Sequence, residues 1–444
     1  MNGSGLDHDQ TIHVGRGAKG GRDALPSLRL ALVVQRYGDE VNGGAEYHCR
    51  LVAEHLAKHH RVEVLTSCAK DYITWRNELP MELSTVNGIP VRRFKVKRPR
   101  DADRFGRISQ KVFRGPHREQ DELEWLEEQG PYSPRLIRFL RRHREEYDYF
   151  VFFSYRYYHS YHGVSALADR SLLVPTAEKD EVVKLKIFRR FFHLPRAIVF
   201  NSIEERQMIL SVAESQDLKG DVVGVGTEVP VRPSPDIFRS RHRSRGIRDR
   251  YAIFIGRVDE NKGCRQLFHY FRRYQDETGS SLGLVLVGGR TMEVLDHASV
   301  YYAGFLSEEE KWSALAGAEF LIMPSQLESL SMVTLEAWAL AKPVLANGLC
   351  DVLRGQCQRS NAGLYYTNYY EFRETVELLE EDRSLREGLG ENGRRFFQEH
   401  YRWDVIEAKY NRLLGMLHRE DQARNPALRD APRGLFQRWR ERAS

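Results

Sequence analysis

Two glutamates, Glu328 and Glu336, stand in the part of this sequence that carries the most chemistry, residues 320–348. An apolar run ends at Pro324, a polar loop follows, and helical spacing leads to a second apolar run, so the pattern predicts strand, loop, helix and strand. A loop that feeds a helix N-terminus between two strands offers free backbone N–H groups and the positive end of the helix dipole to an anion. The segment therefore predicts a phosphate site beside the two carboxylates, at Ser329, Leu330, Ser331 and Met332.

Two cations, Arg257 and Lys262, follow an apolar strand pattern within residues 251–263. A glycine stands next to each of them, and a helical pattern begins immediately afterwards. Because both side chains leave the end of one strand, they could reach one diphosphate group. Arginine offers a planar fork and lysine a point charge, which suits a pyrophosphate leaving group. The alternative interpretation is a pair of solvated cations in a surface loop.

The order of these elements resembles retaining glycosyltransferases of family 4 (glycosyl transferases group 1), which have the GT-B fold. Between the cations and the glutamates lie an apolar run that ends in glycine, 284–289, and a turn at Gly304-Phe305 before a short helical pattern. These two elements resemble the base-binding region of the family. The resemblance covers nearly all of residues 28–418 and is strongest from 251 to 348.

The resemblance implies a role for each of the chemically active residues. Arg257 and Lys262 would clamp the diphosphate and stabilise the charge that develops on it as it departs. Glu328 would orient the transferred sugar, and Glu336 would hold the ribose. Glu328, Arg257 and Lys262 are the predicted catalytic residues. The predicted donor-binding residues are Gly43, Gly44, Arg257, Lys262, Phe305, Glu328, Ser329, Leu330, Ser331, Met332 and Glu336.

A glycine-rich loop near the start of the chain supplies two of the predicted donor-binding residues, Gly43 and Gly44. Residues 28–34 form a strand pattern, Asn42, Gly43 and Gly44 follow, and a helical pattern runs to about residue 59. This resembles the loop of family members in which backbone N–H groups approach the donor phosphate. The loop is not a dinucleotide fingerprint, and the next strand pattern does not end in the acidic residue that a nicotinamide site needs.

On the acceptor side the chain departs from the family. Many relatives carry a His-Asp pair after the strand that corresponds to 173–177, whereas this chain has Glu178, Lys179 and Asp180 there. Tyr155 and His159, which follow the predicted strand 148–154, are candidate substitutes, although aromatic clusters of this kind also serve as core packing. The acceptor-side candidates are Tyr155, His159 and Glu178.

The function that the resemblance implies is transfer of a hexose with retention of anomeric configuration. The donor would be a UDP- or GDP-linked sugar, and the acceptor a glycan, a lipid-linked molecule or a small molecule. Attack would occur on the front face, with the donor phosphate helping to take the acceptor proton. Two alternatives remain open: a nucleotide-sugar epimerase on the same fold, and a catalytically silent scaffold that only binds nucleotide sugars.

No metal or other cofactor is expected. Two Asp-x-Asp triplets, at Asp7/Asp9 and Asp101/Asp103, are read as solvated charges because neither ends an apolar strand. The cations Arg257 and Lys262 already supply positive charge for the leaving diphosphate.

The elements that must position these residues alternate between strand and helix patterns along the chain. Such alternation predicts α/β architecture with parallel sheets. A chain of 444 residues is too long for one hydrophobic core. Length and alternation therefore predict two α/β domains, and the resemblance implies the GT-B arrangement, two Rossmann-like domains with a cleft between them. The predicted parts are a disordered segment 1–27, an acceptor domain 28–230, a linker 231–250, a donor domain 251–400, a helix 401–418 that crosses back to the first domain, and a basic tail 419–444.

Composition and charge bear on location and partners. The sequence has no run of 18 apolar residues, its start lacks a signal-peptide pattern, and its five cysteines match no metal-binding spacing, which together predict a cytoplasmic protein. Residues 92–118 hold eleven Lys and Arg against two Asp, an excess of +9. This basic segment predicts peripheral contact with an anionic membrane, or else a solvated surface. It has no nucleic-acid-binding motif.

Overall fold

The computed structural model describes residues 25–41, 43–230 and 233–424 of the 444-residue chain. Of the predicted disordered segment 1–27, only residues 25–27 are described. Asn42 and the part of the predicted tail beyond residue 424 lie outside the described residues. The described chain forms two parallel-sheet units, and the predicted α/β class is confirmed.

The first unit is built on an eight-stranded sheet in the order β3-β4-β2-β1-β5-β6-β7-β8, in which only β3 runs antiparallel to its neighbour. Its strands are β1 Arg29–Val33, β2 Arg61–Ser67, β3 Leu83–Val86, β4 Ile89–Phe94, β5 Tyr149–Phe153, β6 Ser171–Val174, β7 Ala197–Phe200 and β8 Gly220–Val222. Its helices are α1 Gly44–Leu56, α2 Ala102–Arg114, α3 Glu119–Gln129, α4 Pro134–Arg142, α5 Tyr158–Ala166, α6 Lys186–Phe191 and α7 Ile203–Val212.

The second unit is built on a six-stranded parallel sheet in the order β11-β10-β9-β12-β13-β14. Its strands are β9 Tyr251–Ile255, β10 Gly283–Val287, β11 Val300–Gly304, β12 Leu321–Met323, β13 Val344–Asn347 and β14 Gly363–Tyr366. The helices of the rest of the chain are α8 Pro235–His242, α9 Cys264–Thr278, α10 Glu308–Gly317, α11 Met332–Ala339, α12 Asp351–Ser360, α13 Tyr369–Glu381, α14 Arg383–His400 and α15 Trp403–Arg424.

The central strands of both sheets are buried along their whole length, as β5 and β9 illustrate. Strands covered by helices on both faces read as continuous apolar runs, which is why their sequences do not alternate. Since neighbouring strands run parallel, the loops that follow them meet at one edge of each sheet. The predicted site residues all lie on loops or helices that follow β1, β5, β6, β9, β11 and β12, which are neighbours or near neighbours in their sheets.

Part of the predicted linker 231–250 is folded. Helix α8 begins behind Ser234, whose hydroxyl accepts from the Asp236 N–H, and has Pro235 at its first position. Serine before proline is a helix-start signal that a Pro-, Ser- and Arg-rich composition conceals. The helix packs on α10, where Phe238 is buried and its N–H donates to Ser313 Oγ at 2.8 Å.

The last helix, α15, lies against the first unit and extends beyond the predicted end at residue 418, into the predicted tail. Its residues Glu407, Asn411, Glu420 and Asp421 bind residues of the first unit. At its start, the chain passes beside the segment that leads out of β8. A Cβ on Gly226 would lie only 2.6 Å from the ring of Trp403, so glycine leaves room for that ring. His55 of α1 stacks on the other side of Trp403, with ring centroids 3.6 Å apart.

The basic segment 92–118 is partly neutralised by its surroundings, since four of its eleven cations form ion pairs with described residues. Arg93 is only 7% exposed and donates to the Tyr37 carbonyl at 3.2 Å. Much of the compensating charge comes from the acidic helix α3, and the ion pairs are Arg92–Glu63, Arg98–Glu128, Arg104–Glu124 and Lys111–Asp121. Lys95, Arg107 and Arg114 are exposed and form no ion pair with any described residue.

No helix among the described residues is long and apolar enough to cross a membrane. All five cysteines are buried free thiols.

Glu205, in the first turn of α7, ties together two loops at the edge of the first sheet. One carboxyl oxygen accepts from the Ala177 N–H at 2.6 Å and the other from the Asn201 N–H at 2.6 Å. Burial raises the pKa of Glu205 to about 8. The loop that follows β6, which contains Glu178, is thereby fixed to α7.

Replacing Glu205 by alanine should lower the free energy of unfolding by about 2–6 kcal/mol, because each of two buried N–H groups left without an acceptor costs about 1–3 kcal/mol. Urea unfolding of Glu205→Ala and wild type measures the difference. Glu399→Ala is the control, since Glu399 is exposed on α14. Equal urea midpoints for Glu205→Ala and wild type would show that these hydrogen bonds do not stabilise the fold.

Candidate functional site

Lys262 and Glu328 form an ion pair at the edge of the second sheet. Lys262 Nζ lies 2.6 Å from Glu328 Oε1, and only 9% of the Glu328 side chain is exposed. The two residues follow the neighbouring strands β9 and β12. Burial disfavours the charged lysine, but the Glu328 carboxylate outweighs it and raises the pKa of Lys262 above its usual value.

Gly263 explains why a glycine stands next to this lysine. Its φ is +73°, in the left-handed region, and a Cβ there would collide with the carbonyl oxygen of Pro324. Only glycine lets the loop after β9 approach the end of β12 this closely. The backbone contact therefore determines that Lys262 can reach Glu328.

Arg257 lies on the same loop and is bound on two sides. Its Nε donates to Asp259, and its Nη1 donates to the hydroxyl of Tyr72 at 3.1 Å. Tyr72 belongs to the first unit, so this contact crosses between the two units. The guanidinium of Arg36, also from the first unit, lies 5.3 Å from the centroid of the same ring.

Helix α11 begins behind Ser331, as its capping sequence predicts. The Ser331 hydroxyl accepts from the Thr334 N–H at 3.2 Å. An α-helix leaves its first N–H groups without internal partners. Helix α11 begins at Met332, and Ser329, Leu330 and Ser331 form the loop that leads from Glu328 to its N-terminus.

Glu336 lies in the middle of α11 and is 3% exposed. Its Oε1 accepts from Lys311 Nζ at 3.2 Å, whereas its Oε2 is buried without a hydrogen-bond partner. Burial raises the pKa of Glu336, and Lys311 opposes that rise. A buried carboxylate oxygen without a partner is a vacant acceptor for a hydroxyl or N–H donor.

The turn after β11 presents Phe305, whose side chain is 73% exposed. Gly304 has φ +71°, a left-handed conformation that favours glycine. The ring of Phe305 lies over Gly289, where a Cβ would come within 2.8 Å of it. An exposed ring at this edge of the sheet offers a surface on which a planar group can stack.

The glycine-rich loop of the first unit lies at the N-terminus of α1. Gly43 precedes the helix without a side-chain cap, and Gly44 begins it. A Cβ on Gly43 would collide with the carboxylate of Glu46, which itself accepts from Arg36 Nε at 2.8 Å. The Arg36–Glu46 pair therefore covers one side of this loop.

Glu178 faces the second unit from the loop after β6. It is half-buried, and burial followed by the nearby Glu328 carboxylate raises its pKa, with Arg156 and Lys262 opposing the rise. Its neighbours are fixed: Lys179 Nζ lies 2.6 Å from Asp351 of the second unit, and Asp180 lies 2.7 Å from Arg156. Of the three acceptor-side candidates, Glu178 alone comes near Lys262 and Glu328.

Tyr155 and His159 are core residues. Tyr155 is fully buried and packs on Phe188 and Phe192. His159 is 1% exposed, its Nε2 donates to the Phe153 carbonyl at 3.1 Å, and burial lowers its pKa to about 4. The structure does not bring either side chain to the surface of the cleft, because the aromatic cluster in which they stand packs against the first sheet.

The cations around the cleft all have carboxylate partners: Arg257–Asp259, Lys262–Glu328, Lys311–Glu336, Arg156–Asp180 and Arg36–Glu46. Such pairs keep cations in place in a partly buried site, and an incoming anion can exchange with the carboxylate for the same donors. The arrangement suits binding of a diphosphate by Arg257 and Lys262. In the described part of the chain, no group of three or more His, Cys, Asp and Glu side chains could hold a metal ion.

Sequence reasoning missed Lys311, Tyr72 and Asp259, although each touches a predicted site residue. Lys311 stands in an acidic helix start, where a lysine is normally a solvated partner of glutamate. Tyr72 comes from a loop without a recognisable motif. Asp259 gives a usable signal, because an aspartate three residues before Lys262 can cap the backbone, and it does accept from the Lys262 N–H at 2.8 Å.

Comparison with known proteins identifies a family model that matches part of this chain. Residues 239–396 match the family model of glycosyl transferases group 1. The matched range includes Arg257, Lys262, Phe305, Glu328 and Glu336. The capsular polysaccharide biosynthesis glycosyltransferase CapM of Staphylococcus aureus is 23% identical over 184 residues, which are 38% of this chain and 48% of CapM. The chain spans about half the length of the curated relatives that it matches.

Two solved structures resemble both units together. Sucrose-phosphate synthase from Thermosynechococcus elongatus has a TM-score of 0.64 at 16% identity, over 89% of this chain and 99% of that chain. Anabaena Alr3699/HepE in complex with UDP-glucose has a TM-score of 0.62 at 15% identity, over 88% of this chain and 100% of that chain. At such low identity these likenesses establish the fold.

The structural likeness covers both sheets, and the family match covers all six strands of the second sheet, from within α8 to within α14. The predicted arrangement of two Rossmann-like domains with a cleft between them is therefore confirmed, and so is the predicted resemblance to group 1 glycosyltransferases. The chain has the GT-B fold, and residues 239–396 of it match the family model of glycosyl transferases group 1.

Proposed function

We propose that this protein is a glycosyltransferase that moves a hexose from a nucleoside-diphosphate sugar to an acceptor, with retention of anomeric configuration. The observation that carries the proposal is the convergence of Arg257, Lys262, Glu328 and Glu336. These four residues are separated by up to 79 positions in sequence, yet they lie on the loops and helix that follow the adjacent strands β9 and β12.

The order of the strands supports a particular orientation of the donor. The second sheet runs β11-β10-β9-β12, so Phe305, the cations and Glu328 follow one another along its edge. A nucleotide base at Phe305, the diphosphate at Arg257 and Lys262, and the sugar at Glu328 would match that order. The unpartnered oxygen of Glu336 offers an acceptor for a ribose hydroxyl. HepE, which shares the fold, has been solved with UDP-glucose, and this supports a UDP-linked sugar as the first donor to test, with a GDP-linked sugar as the second.

In this proposal, the cations act on the leaving group. Charge develops on the diphosphate as the bond to the sugar breaks, and preorganised cations stabilise that charge more strongly in the transition state than in the ground state. Glu328 orients the sugar for attack on the face from which the diphosphate departs. Glu178, opposite Lys262 and Glu328, is the remaining acceptor-side candidate.

The acceptor is a glycan, a lipid-linked molecule or a small molecule, and cytoplasmic location and peripheral membrane contact stay predictions. Five exposed cations of the basic segment 92–118 form no ion pair with a described residue: Lys95, Lys97, Arg107, Arg114 and Arg118. Nucleic acid is not an expected partner. A coupled assay for released nucleoside diphosphate, with and without acceptor extract, separates the transferase from an epimerase or a silent scaffold, since only a transferase releases it in response to acceptor.

Replacing Arg257 or Lys262 by alanine should reduce kcat/KM by roughly tenfold to a hundredfold or more, because a hydrogen bond to a charged group contributes about 1.5–3 kcal/mol. Steady-state kinetics with the donor measure the effect. Arg265→Ala is the matched control, because Arg265 is an exposed cation nearby, paired with Glu260. Wild-type turnover by both Arg257→Ala and Lys262→Ala would remove the diphosphate assignment.

Glu328→Gln and Glu336→Ala should fail in different ways. Glu328→Gln should lower kcat, since it removes the charge that orients the sugar. It should retain affinity for the free nucleoside diphosphate, because that ligand has no sugar at Glu328 and Lys262 is unchanged. Glu336→Ala should weaken binding of the nucleotide itself, because a ribose contact acts in the ground state and the transition state alike. Calorimetric titration with nucleoside diphosphate distinguishes them. If Glu336→Ala bound it as tightly as wild type does, the ribose role would be wrong.

Turnover should survive EDTA, because Arg257 and Lys262 supply the positive charge that a divalent cation provides in other diphosphate-transferring enzymes. The assay compares rates with EDTA and with added manganese or magnesium. Loss of activity on chelation, restored by either metal, would contradict this expectation.

A further inference from the structure

Lys311 and Glu336 meet between α10 and α11, in a place almost closed to water. The side chain of Lys311 is 14% exposed and that of Glu336 is 4% exposed. Lys311 Nζ lies 3.2 Å from Glu336 Oε1 and 2.8 Å from Glu308 Oε2. A carboxylate buried without a cation beside it would be strongly disfavoured in its charged form.

We propose that Lys311 is a positioning residue that keeps Glu336 ionised and occupies one of its oxygens, so that the other remains available to the nucleotide. This inference rests on the proposed ribose contact of Glu336. It concerns a residue outside the predicted donor-binding set, because Lys311 acts through Glu336.

Among the charged groups around Glu336, Lys311 is the one that favours its ionised form. Three titratable side chains face it: Lys311 and Glu308 from α10, and Tyr47 from α1 of the other domain. Burial raises the pKa of Glu336, Lys311 lowers it, and Glu308 raises it. Without Lys311, the remaining carboxylate and the burial act in the same direction, and both favour the protonated form of Glu336. A protonated carboxyl group has an O–H donor in place of one acceptor and is uncharged, so it holds ribose hydroxyls less strongly than a carboxylate does.

A purely structural role for the ion pair predicts something different. In that case, removing Lys311 would destabilise the fold to a similar extent at every pH, and nucleotide binding would change only as far as folding does. The pH dependence of stability and binding therefore separates the two roles.

The first experiment needs no ligand. Urea unfolding of Lys311→Gln and of Lys311→Gln/Glu336→Gln is compared between pH 5 and 8. A buried acid whose pKa is raised in the folded state contributes stability at low pH that is lost as pH rises through that pKa. As pH rises, the equilibrium constant for unfolding of Lys311→Gln should therefore increase relative to that of Lys311→Gln/Glu336→Gln. The ratio of the two constants should change by up to about tenfold per pH unit, as expected when unfolding releases one proton. Parallel pH profiles would overturn the inference.

Glutamine is chosen because it keeps a donor near Glu336 and changes packing little. Lys311→Arg restores the positive charge and should give the pH profile of wild type. Glu308→Gln removes the other, more exposed partner of Lys311 and should also leave the profile of wild type. If Lys311→Arg behaved like Lys311→Gln, the charge of Lys311 would not be what matters.

The second experiment measures binding of UDP-glucose at pH 6.5 and 8.5, where its diphosphate does not titrate. Lys311→Gln should bind at least tenfold more weakly than wild type at pH 6.5, and the loss should be smaller at pH 8.5, because a higher pH favours the carboxylate form of Glu336. Equal weakness at both pH values would overturn the inference. Failure of the ribose contact itself has a separate signature, because Glu336→Ala would then bind UDP-glucose like wild type while the ligand-free experiment still decides the role of Lys311.

Discussion

The approach of the loop after β9 to the end of β12 is the constraint on which the site depends. Gly263, in a left-handed conformation, lies against the Pro324 carbonyl, and this contact sets the distance from Lys262 to Glu328. Asp259 holds the same loop by accepting from the Lys262 N–H and from Arg257. The cations are therefore in place before any anion arrives, so a ligand does not have to bear the cost of ordering them.

The N-terminal domain contributes a second set of fixed groups at the opposite wall. Glu205 anchors the loop that carries Glu178, and Lys179 binds Asp351 across the cleft. Tyr72 reaches Arg257 from the same side. A site whose two walls already touch through charged and polar side chains brings an acceptor close to the donor without a large rearrangement of either sheet.

The sequence predicted the α/β class, the two-domain arrangement and the residues of the second domain that converge, because strand runs, glycine turns and helix caps are local signals. Glu328 and Lys262 were identified from such signals together with the resemblance to a known family. Lys311 was not, because its partner Glu336 is 25 residues away and only the tertiary structure brings the two side chains together. Tyr155 and His159 were misplaced for the opposite reason: a pattern of aromatic residues does not tell which rings face a core. The ion pairs that neutralise the basic segment 92–118 also depend on tertiary contacts that no local pattern contains.

The crossing of the chain beside Trp403 has a mechanical consequence. The chain passes between the domains twice, once after β8 and once before α15, and the two passages lie side by side, with Gly226 against Trp403 and Gly224 against Tyr401. Two adjacent chain segments that join the same domains act as a hinge. They allow rotation about one axis, because rotation about any other axis would pull the two segments apart. Opening is then a rotation that changes the far end of the cleft most and the crossing least. The hydrogen bond between Tyr72 and Arg257 joins the two domains, so a rotation that opens the cleft would have to break it.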